Sequence, residues 1–212
     1  MQKNQDKIER VARLIDYYPK NKCELNFSTP YELLVAVILS AQCTDKRVNL
    51  VTKELFKQAN TPEQMMLLGE DSLKEIIKPC GFFNNKAKSI IEASKTLIEK
   101  FESTVPKTRE ELMGLSGVGE KTASVVLAVA FGIPAIAVDT HVFRLSKRLG
   151  LARKKTPTET MYALEKLLPE DMWIDGHFAL VLHGRYICKA IKPNCKECIL
   201  QENCPTFNKT KK

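Results

Sequence analysis

The sequence predicts an all-α fold. Apolar residues recur at helical spacing in nearly every long segment of the 212-residue chain. Prolines stand where several of these segments begin and glycines where they end, as is typical of helix boundaries. No convincing alternating pattern of a strand appears, apart from the short run from Ala135 to Val138. We therefore expect many short helices joined by brief connections.

The predicted helices follow one another along the chain without an internal repeat or a low-complexity tract. The first spans residues 4–18, and the second begins at Pro30 with Ser28 or Thr29 as its cap. An apolar helix begins near Glu120 and stops at Gly132. The remaining predicted helices cover residues 45–58, 85–101, 108–115, 140–150, 156–169 and 173–188.

Composition excludes several classes of protein. Hydrophobic residues make up 44% of the chain, which indicates a globular protein rather than a disordered one. No apolar run approaches the roughly 18–20 residues needed to span a bilayer. The first residues are charged and amphipathic, so they lack the apolar stretch of a secretory signal. We therefore expect a cytoplasmic protein, associated with the nucleoid if it is bacterial.

Charge indicates a polyanionic partner. The formal net charge is +8, and from Leu180 onward seven Lys or Arg stand against two acidic residues. A basic excess of this kind is typical of nucleic-acid-binding proteins, although many basic proteins bind no polyanion. We interpret residues 209–212 as a solvated basic tail.

The run GLSGVGEKTA predicts a tight turn between two helices. Gly117 and Gly119 can adopt backbone angles that other residues avoid, and they let a bulky anion approach the main-chain N–H groups. Those groups and the start of the next helix form a natural phosphate site. Leu115 and Val118 are expected to pack the hairpin against itself. The alternative is an ordinary helical hairpin with a glycine cap.

Lys121 stands at the start of the helix that follows this turn. A cation there faces the positive end of the helix dipole, which is mildly unfavourable for its charge. This position, beside an apolar helix, favours the neutral amine, which is the nucleophilic form of lysine. The alternative is an exposed helix lysine without a chemical role.

Asp139 follows an apolar run and precedes a helix, so we expect it to cap that helix. A carboxylate that accepts helix N–H bonds stays ionised, and an ionised carboxylate can stabilise a developing sugar cation. A cap without any further role is the alternative. His141 lies in the first turn of the same helix, where a surface or packing role competes with a binding role.

Four cysteines cluster near the end of the chain, at positions 188, 195, 198 and 204. In a reducing compartment such clustering indicates a metal or cluster site rather than disulfides. The unequal spacing favours a [4Fe–4S] cluster over zinc, and zinc remains the alternative. The loop after the first of these cysteines presents Lys189 and Lys192. Cys23, Cys43 and Cys80 are interpreted as buried small hydrophobes.

Together these segments resemble the endonuclease III family, bifunctional DNA glycosylases of the helix-hairpin-helix superfamily that remove oxidised pyrimidines. The resemblance runs from ELNFSTPYELLVAVILSAQCTD through LSGVGEKTA and AVDTHVFRL to LHGRYIC and the four cysteines. It implies two helical lobes with a DNA-binding cleft between them. One lobe is a six-helix barrel over residues 23–133, with the helix-hairpin-helix at about residues 108–131. The other joins residues 1–22 to residues 134–212 and carries the cluster loop, residues 188–204.

The resemblance also implies roles for individual residues. Lys121 is the nucleophile and Asp139 the essential carboxylate. Gln42 matches the residue that fills the gap left by an extruded base, and Phe82 aligns with a wedge position where some relatives have leucine. Without the resemblance, Gln42 would be a polar residue at a helix end and Phe82 a core residue. Further DNA contacts are expected at Leu115, Gly117, Val118, Gly119, His141, Arg185, Lys189 and Lys192.

The expected cofactor is a [4Fe–4S] cluster held by Cys188, Cys195, Cys198 and Cys204. The expected partner is double-stranded DNA with a damaged pyrimidine or an abasic site, bound by a monomer. Three alternatives remain: a non-catalytic DNA-binding module, a related glycosylase with uracil, thymine or adenine mismatch preference, and a zinc-stabilised helical interaction protein. Adenine-mismatch relatives usually lack the hairpin lysine, so Lys121 favours action on oxidised pyrimidines.

Overall fold

The computed structural model describes residues 2–18 and 23–210. In these residues the chain forms eleven α-helices and three short 3-10 helices, and it contains no strand. The predicted all-α fold is confirmed. Residues 135–138, the candidate strand, form a buried connection without regular secondary structure. Across the described ranges, no helix has both the length and the apolar character required to cross a bilayer.

The chain divides into two compact units. One unit is Cys23–Ile133, and the other combines Met1–Lys22 with Pro134–Lys212. Residues 1, 19–22 and 211–212 lie outside the described residues, and with them lie two lysines of the predicted basic tail.

The helices follow one another in the order in which they are numbered here. In the unit of residues 23–133 they are α2 (Pro30–Ser40), α3 (Asp45–Gln58), α4 (Pro62–Ile77), α5 (Phe83–Phe101), α6 (Arg109–Met113) and α7 (Glu120–Phe131). In the other unit they are α1 (Gln2–Tyr17), α8 (Thr140–Arg148), α9 (Pro157–Leu167), α10 (Trp173–Tyr186) and α11 (Pro205–Thr210). The 3-10 helices are Lys78–Cys80, Glu170–Met172 and Cys195–Glu197.

Threonine side chains cap many of the helices. The side-chain oxygen of each cap accepts a hydrogen bond from a first-turn N–H that has no partner within the helix. The caps of α2, α3, α4, α6 and α9 are Thr29, Thr44, Thr61, Thr108 and Thr156. Thr29, and not Ser28, therefore caps α2. The start of α7 differs, because its N-cap is Gly119 and no side chain caps it.

Helix α2 is the centre of the unit formed by residues 23–133. All of its residues from Tyr31 to Leu39 are buried, and it packs against α3, α5 and α7. Such a helix is apolar on every side because neighbours surround it. The hydroxyl groups of Tyr31 and Ser94 form a hydrogen bond of 2.6 Å that joins α2 to α5. The hairpin and the loops at the end of α2 are thus built on a rigid support.

The other unit has its own apolar core. Helix α1 packs against α10, α10 packs against α8, and α8 packs against α9. Their fully buried contacts include Val11 and Leu14 of α1, Val142 and Leu145 of α8, and Leu180 of α10. Several of the terminal cysteines pack against this same core. The core thus holds the start of α8 and the cysteine loop on one framework.

Two α-helices of the fold are missing from the sequence prediction. Helix α4 has a non-helical residue in its interior, Gly69, with φ of 77° and ψ of 160°, and this break interrupts the apolar periodicity. Helix α11 is only 6 residues long and lacks a clear periodic pattern. Of the three cysteines interpreted as buried, Cys80 is buried, whereas Cys23 and Cys43 are half-buried.

Candidate functional site

The glycine turn between α6 and α7 requires glycine at its first position. Gly117 has φ of +78°, a region that side-chain-bearing residues rarely adopt. A Cβ atom on Gly117 would also lie 2.8 Å from the Cβ atom of Ser89. Leu115 and Val118 are both buried, so the hairpin packs against its own unit as the sequence predicts.

Gly119 keeps the start of α7 open. A Cβ atom built on this residue would meet no heavy atom within 4 Å, so the space beside the turn is empty of protein. No side chain caps the helix. An uncapped helix start presents N–H groups and the positive end of the helix dipole, and both attract a phosphate group. This geometry suits a DNA backbone.

Lys121 is the second residue of α7 and its side chain is exposed. Within the described residues, it forms no hydrogen bond or ion pair that would hold its amine. The helix behind it is anchored by Ala123, Val126 and Leu127, all of which are buried. The amine is thus free to react with a ligand, while its backbone is rigid.

Asp139 caps α8, as the sequence predicts. Its Oδ1 atom accepts a hydrogen bond of 2.8 Å from the backbone N–H of Val142. The residue is half-buried. The other oxygen, Oδ2, receives no hydrogen bond from the described residues. One carboxylate oxygen thus orients the side chain, and the second is left for a ligand.

His141 lies in the first turn of α8 and is half-buried. Its Nδ1 atom lies 3.3 Å from Nη2 of Arg144, within hydrogen-bonding distance. A Cβ atom on Gly184 of α10 would lie 2.7 Å from the Cβ atom of His141, so the two helices meet closely here. These contacts fit the packing role considered for this histidine, and its DNA contact stays a prediction.

Gln42 and Phe82 occupy two exposed loops at the ends of helices. Gln42 has φ of 53° and Phe82 has φ of 47°, both in the left-handed region that non-glycine residues rarely adopt. Phe82 is 65% exposed, so the interpretation of this side chain as core is wrong. Strained backbone of this kind persists where the surrounding structure imposes it, and it clusters at functional sites.

All four terminal cysteines line one pocket of the unit that contains α10. The pocket holds about 320 Å³ of space that protein atoms do not fill. Its other walls are largely apolar and include Leu149, Ile187, Pro193 and Phe207. Burial raises the pKa of the thiols of Cys195 and Cys198, and the neighbouring cysteines raise both further. Four thiolates in such a pocket require a positively charged group between them.

The surroundings of the four sulfur atoms include nitrogen groups. Among the described residues, no group of three or more His, Cys, Asp or Glu side chains is arranged to hold one metal ion. Two side chains approach sulfur atoms, Nη1 of Arg148 at 3.4 Å from Cys188 Sγ and Nε2 of His183 at 3.4 Å from Cys198 Sγ. N–H groups aimed at sulfur are typical of the surroundings of iron–sulfur clusters.

Arg148 also holds the basic loop that follows Cys188. Its guanidinium donates to the carbonyl oxygens of Lys189 at 2.6 Å and Ala190 at 2.9 Å. Lys189 and Lys192 are exposed, and Lys192 has φ of 49°. Arg185 is half-buried in the last turn of α10. The loop is therefore fixed while its lysines point to solvent.

Sequence reasoning missed several arginines that hold this region. Arg148 is one, and two more lie on α1, where Arg10 donates to the carbonyl of Asn203 and Arg13 to that of Ile199. The partners are 193 and 186 residues away in sequence. No local pattern predicts such contacts, because each depends on the packing of the whole unit.

These features define a helical DNA-repair protein: the chain belongs to the HhH-GPD superfamily of base excision DNA repair proteins. The family model matches residues 35–170, a range that includes the glycine turn, Lys121 and Asp139. The chain is 49% identical over 198 residues to endonuclease III of Haemophilus influenzae, across 93% of this chain and 94% of the relative.

Two solved structures are similar over nearly the whole chain. A non-covalent endonuclease III–DNA complex matches with a TM-score of 0.92 and 42% identity, over 98% of each chain. A trapped endonuclease III–DNA covalent intermediate, an estranged-adenine complex, matches with a TM-score of 0.92 and 43% identity, over 99% of each chain. The family resemblance drawn from the sequence is confirmed, and with it the prediction of a base excision repair enzyme.

Proposed function

We propose that the protein removes oxidised pyrimidines from duplex DNA and then cuts the strand at the abasic site. The observation that carries this proposal is the unpaired, exposed amine of Lys121 at an uncapped helix start. That start follows a turn in which Gly119 faces open space with room for a phosphate group. A grip on the backbone and a nucleophile therefore lie within the same few residues.

Binding begins at the phosphate groups. The first-turn N–H groups of α7 take one phosphate of the damaged strand, and the exposed Lys189 and Lys192 take others. Such contacts position the protein on DNA without reading its sequence. They also make binding weaker as salt rises, because counterions compete for the phosphates.

The base is then extruded from the stack. Phe82 enters the duplex as a wedge, and Gln42 fills the space that the base leaves. Extrusion costs a few kcal/mol and least for a damaged or mispaired base, which favours damaged sites. The exposure and fixed backbone of both residues support these roles.

Lys121 performs the covalent step. Its neutral Nζ attacks C1′ of the deoxyribose, and the bond from C1′ to the base breaks as the base leaves with the electron pair and takes up a proton. The nitrogen then gives up a proton, its lone pair forms the C=N bond of a Schiff base as the bond from C1′ to the ring oxygen breaks, and the ring oxygen leaves with the electron pair and takes up a proton. Loss of a proton from C2′ breaks the C3′–O bond, and the strand is cut on the 3′ side. Covalent catalysis of this type divides one difficult step into easier ones.

Asp139 stabilises positive charge on the sugar as the base leaves. An ionised carboxylate acts in this way without moving, because the cap hydrogen bond already orients it. It also helps to take a proton from the lysine ammonium. The residue thus serves both the helix and the chemistry.

The four cysteines are proposed to hold a [4Fe–4S] cluster. When bound, the cluster supplies four iron–thiolate bonds that cross-link the loop of residues 188–204. The chain itself orients the loop, because Arg148 binds the carbonyl groups of Lys189 and Ala190. In this orientation the side chain of Lys189 faces the DNA. Iron and sulfide analysis after anaerobic purification should find about four of each per chain. A colourless protein with one zinc ion per chain would contradict this assignment.

A panel of four duplexes tests the proposed activity. They carry thymine glycol, uracil, an abasic site and adenine opposite 8-oxoguanine. We expect base release at thymine glycol and strand cleavage at thymine glycol and at the abasic site. Cleavage limited to uracil, or base release limited to adenine, would indicate a mismatch enzyme. DNA binding without any cleavage would indicate a non-catalytic module.

A further inference from the structure

Lys86 joins the two loops that carry Gln42 and Phe82. Its Nζ atom donates one hydrogen bond of 2.8 Å to the carbonyl of Leu39 and another of 2.9 Å to the carbonyl of Cys80. Leu39 lies in the last turn of α2, three positions before Gln42, and Cys80 lies two positions before Phe82. One side chain thus fixes the backbone immediately before each loop.

The lysine is unusual in its environment. Lys86 is only 6% exposed, and lysine is almost never buried without partners. Burial lowers the pKa of its ammonium, and the nearby thiols of Cys80 and Cys43 offset part of that shift. Its own backbone N–H donates to the carbonyl of Phe82 over 3.2 Å. Burying a cation lowers the stability of the fold. A buried lysine held by two carbonyl groups therefore indicates that the position of those groups matters more than the stability that is lost.

Two further contacts join the same loops. Nη1 of Arg47, at the start of α3, donates to the carbonyl of Pro79 over 3.3 Å. The thiol of Cys43 lies near that of Cys80 and raises its pKa. The segment that includes Gln42 and the segment that includes Phe82 are therefore connected by side-chain hydrogen bonds at two points, and Lys86 is the more deeply buried of the two donors.

We propose that Lys86 is a positioning residue that holds Gln42 and Phe82 at a fixed separation, so that wedge insertion and gap filling occur together. The proposal rests on the proposed function, because it takes the roles of those two residues from it. Lys86 does not contact the DNA. Its loss is expected to impair extrusion of a paired base and to spare the later chemistry at Lys121.

Base excision from two duplexes tests this proposal. Both carry the same oxidised pyrimidine, but one is fully paired and the other holds the lesion in a run of mismatches, where extrusion needs less energy. Single-turnover rates are measured for the wild type, Lys86→Met and Phe82→Ala. We expect the excision rate of both variants to fall about tenfold on the paired duplex and less than about twofold on the mismatched one. Each variant removes an interaction that acts in extrusion.

Lys88→Met is the matched control. Lys88 lies on the same helix but is exposed, so its replacement should leave both rates unchanged. In a Phe82→Ala background, Lys86→Met should cause a smaller further loss than it causes in the wild type, because the part of its effect that acts through Phe82 is already gone. If Lys86→Met fails to fold, Lys86→Gln keeps amide N–H donors and should show a smaller loss with the same dependence on pairing.

The outcomes separate the inference from the proposed function. Equal losses on both duplexes, or an additive loss in the double variant, would mean that Lys86 only supports the fold, and would overturn the inference. A wild type that releases no base from either duplex would contradict the proposed function, and the inference with it.

Discussion

Gly117 lies directly against Ser89, at the point where the hairpin meets α5. A Cβ atom on Gly117 would lie 2.8 Å from the Cβ of Ser89, closer than carbon atoms approach in folded proteins. Because the backbone there also has φ of +78°, two separate constraints require glycine. Gly119, two residues on, faces open space and has φ of −96°, so the fold itself does not require glycine there.

The first prediction compares alanine at these two glycines. Gly117→Ala should lower the free energy of unfolding by about 2–4 kcal/mol, from backbone strain and overpacking together. Gly119→Ala should change it by less than about 1 kcal/mol, yet it should weaken binding to duplex DNA, because a methyl group intrudes where the phosphate lies. Denaturant unfolding and a DNA-binding titration measure the two effects. Equal effects of both variants on stability would contradict the assignment.

The second prediction separates the two roles of Asp139. Asn caps helices about as effectively as Asp does, so Asp139→Asn should keep the fold and lose the negative charge. We expect base excision to slow by about a hundredfold or more, as when other electrostatic groups in active sites are removed. Asp139→Ala should lose the cap as well and cost about 1 kcal/mol of stability. An Asp139→Asn variant with the excision rate of the wild type would reduce this residue to a cap.

The third prediction concerns Arg148 and the basic loop. Arg148→Met removes the arginine donors to the carbonyls of Lys189 and Ala190 and one of the two to the carbonyl of Cys188, so the loop should lose its fixed shape. We expect weaker DNA binding and faster loss of bound iron during dialysis against a chelator. The control is Arg153→Met, since Arg153 is exposed in the same unit. If both variants retain iron and DNA equally well, the loop does not depend on Arg148.

The fourth prediction follows from the thiol of Cys80. Burial, and then the neighbouring Cys43, raise its pKa to about 11. At pH 8 its thiolate fraction is therefore about a hundredfold below that of a cysteine in an unfolded chain, and alkylation should slow to match. The rate should rise about tenfold for each pH unit, as long as the protein stays folded. Mass spectrometry after short iodoacetamide pulses measures it, and modification as fast as in a free peptide would refute the burial.

The same shift has a consequence for stability. Because the folded state holds this proton more tightly than the unfolded state, the unfolded chain binds fewer protons between about pH 8.5, the ordinary cysteine pKa, and about pH 11. The contribution of Cys80 is thus fully present below that window and is lost as pH rises through it. Cys80→Ala should make the alkaline loss of stability shallower.

Several features of the site are visible in the sequence because they depend on neighbours along the chain. The glycine turn, the lysine at the start of α7 and the cap at Asp139 all follow from local patterns. The shared pocket of the four cysteines also follows from their short spacing. The left-handed backbone at Gln42 and Phe82 does not, since both are ordinary residues in polar surroundings.

The burial of Lys86 has a signal in the sequence that is easy to overlook. The residue lies at helical spacing from Ile90, Ala93 and Leu97, so it continues the buried stripe of α5. A lysine in such a stripe is the kind of conflict that indicates a specific role. The contacts of Arg148 have no such signal, because the loop it binds lies about 40 residues away.

The most direct test of the central claim is a borohydride trap with duplex DNA that carries an abasic site. Borohydride reduces a Schiff base, so the wild type should form a stable protein–DNA adduct that a denaturing gel resolves. Lys121→Gln should form none. Lys46→Gln is the matched control, since Lys46 is also an exposed second residue of a helix, α3, and this variant should trap fully. An adduct formed by Lys121→Gln at the wild-type level would contradict the account.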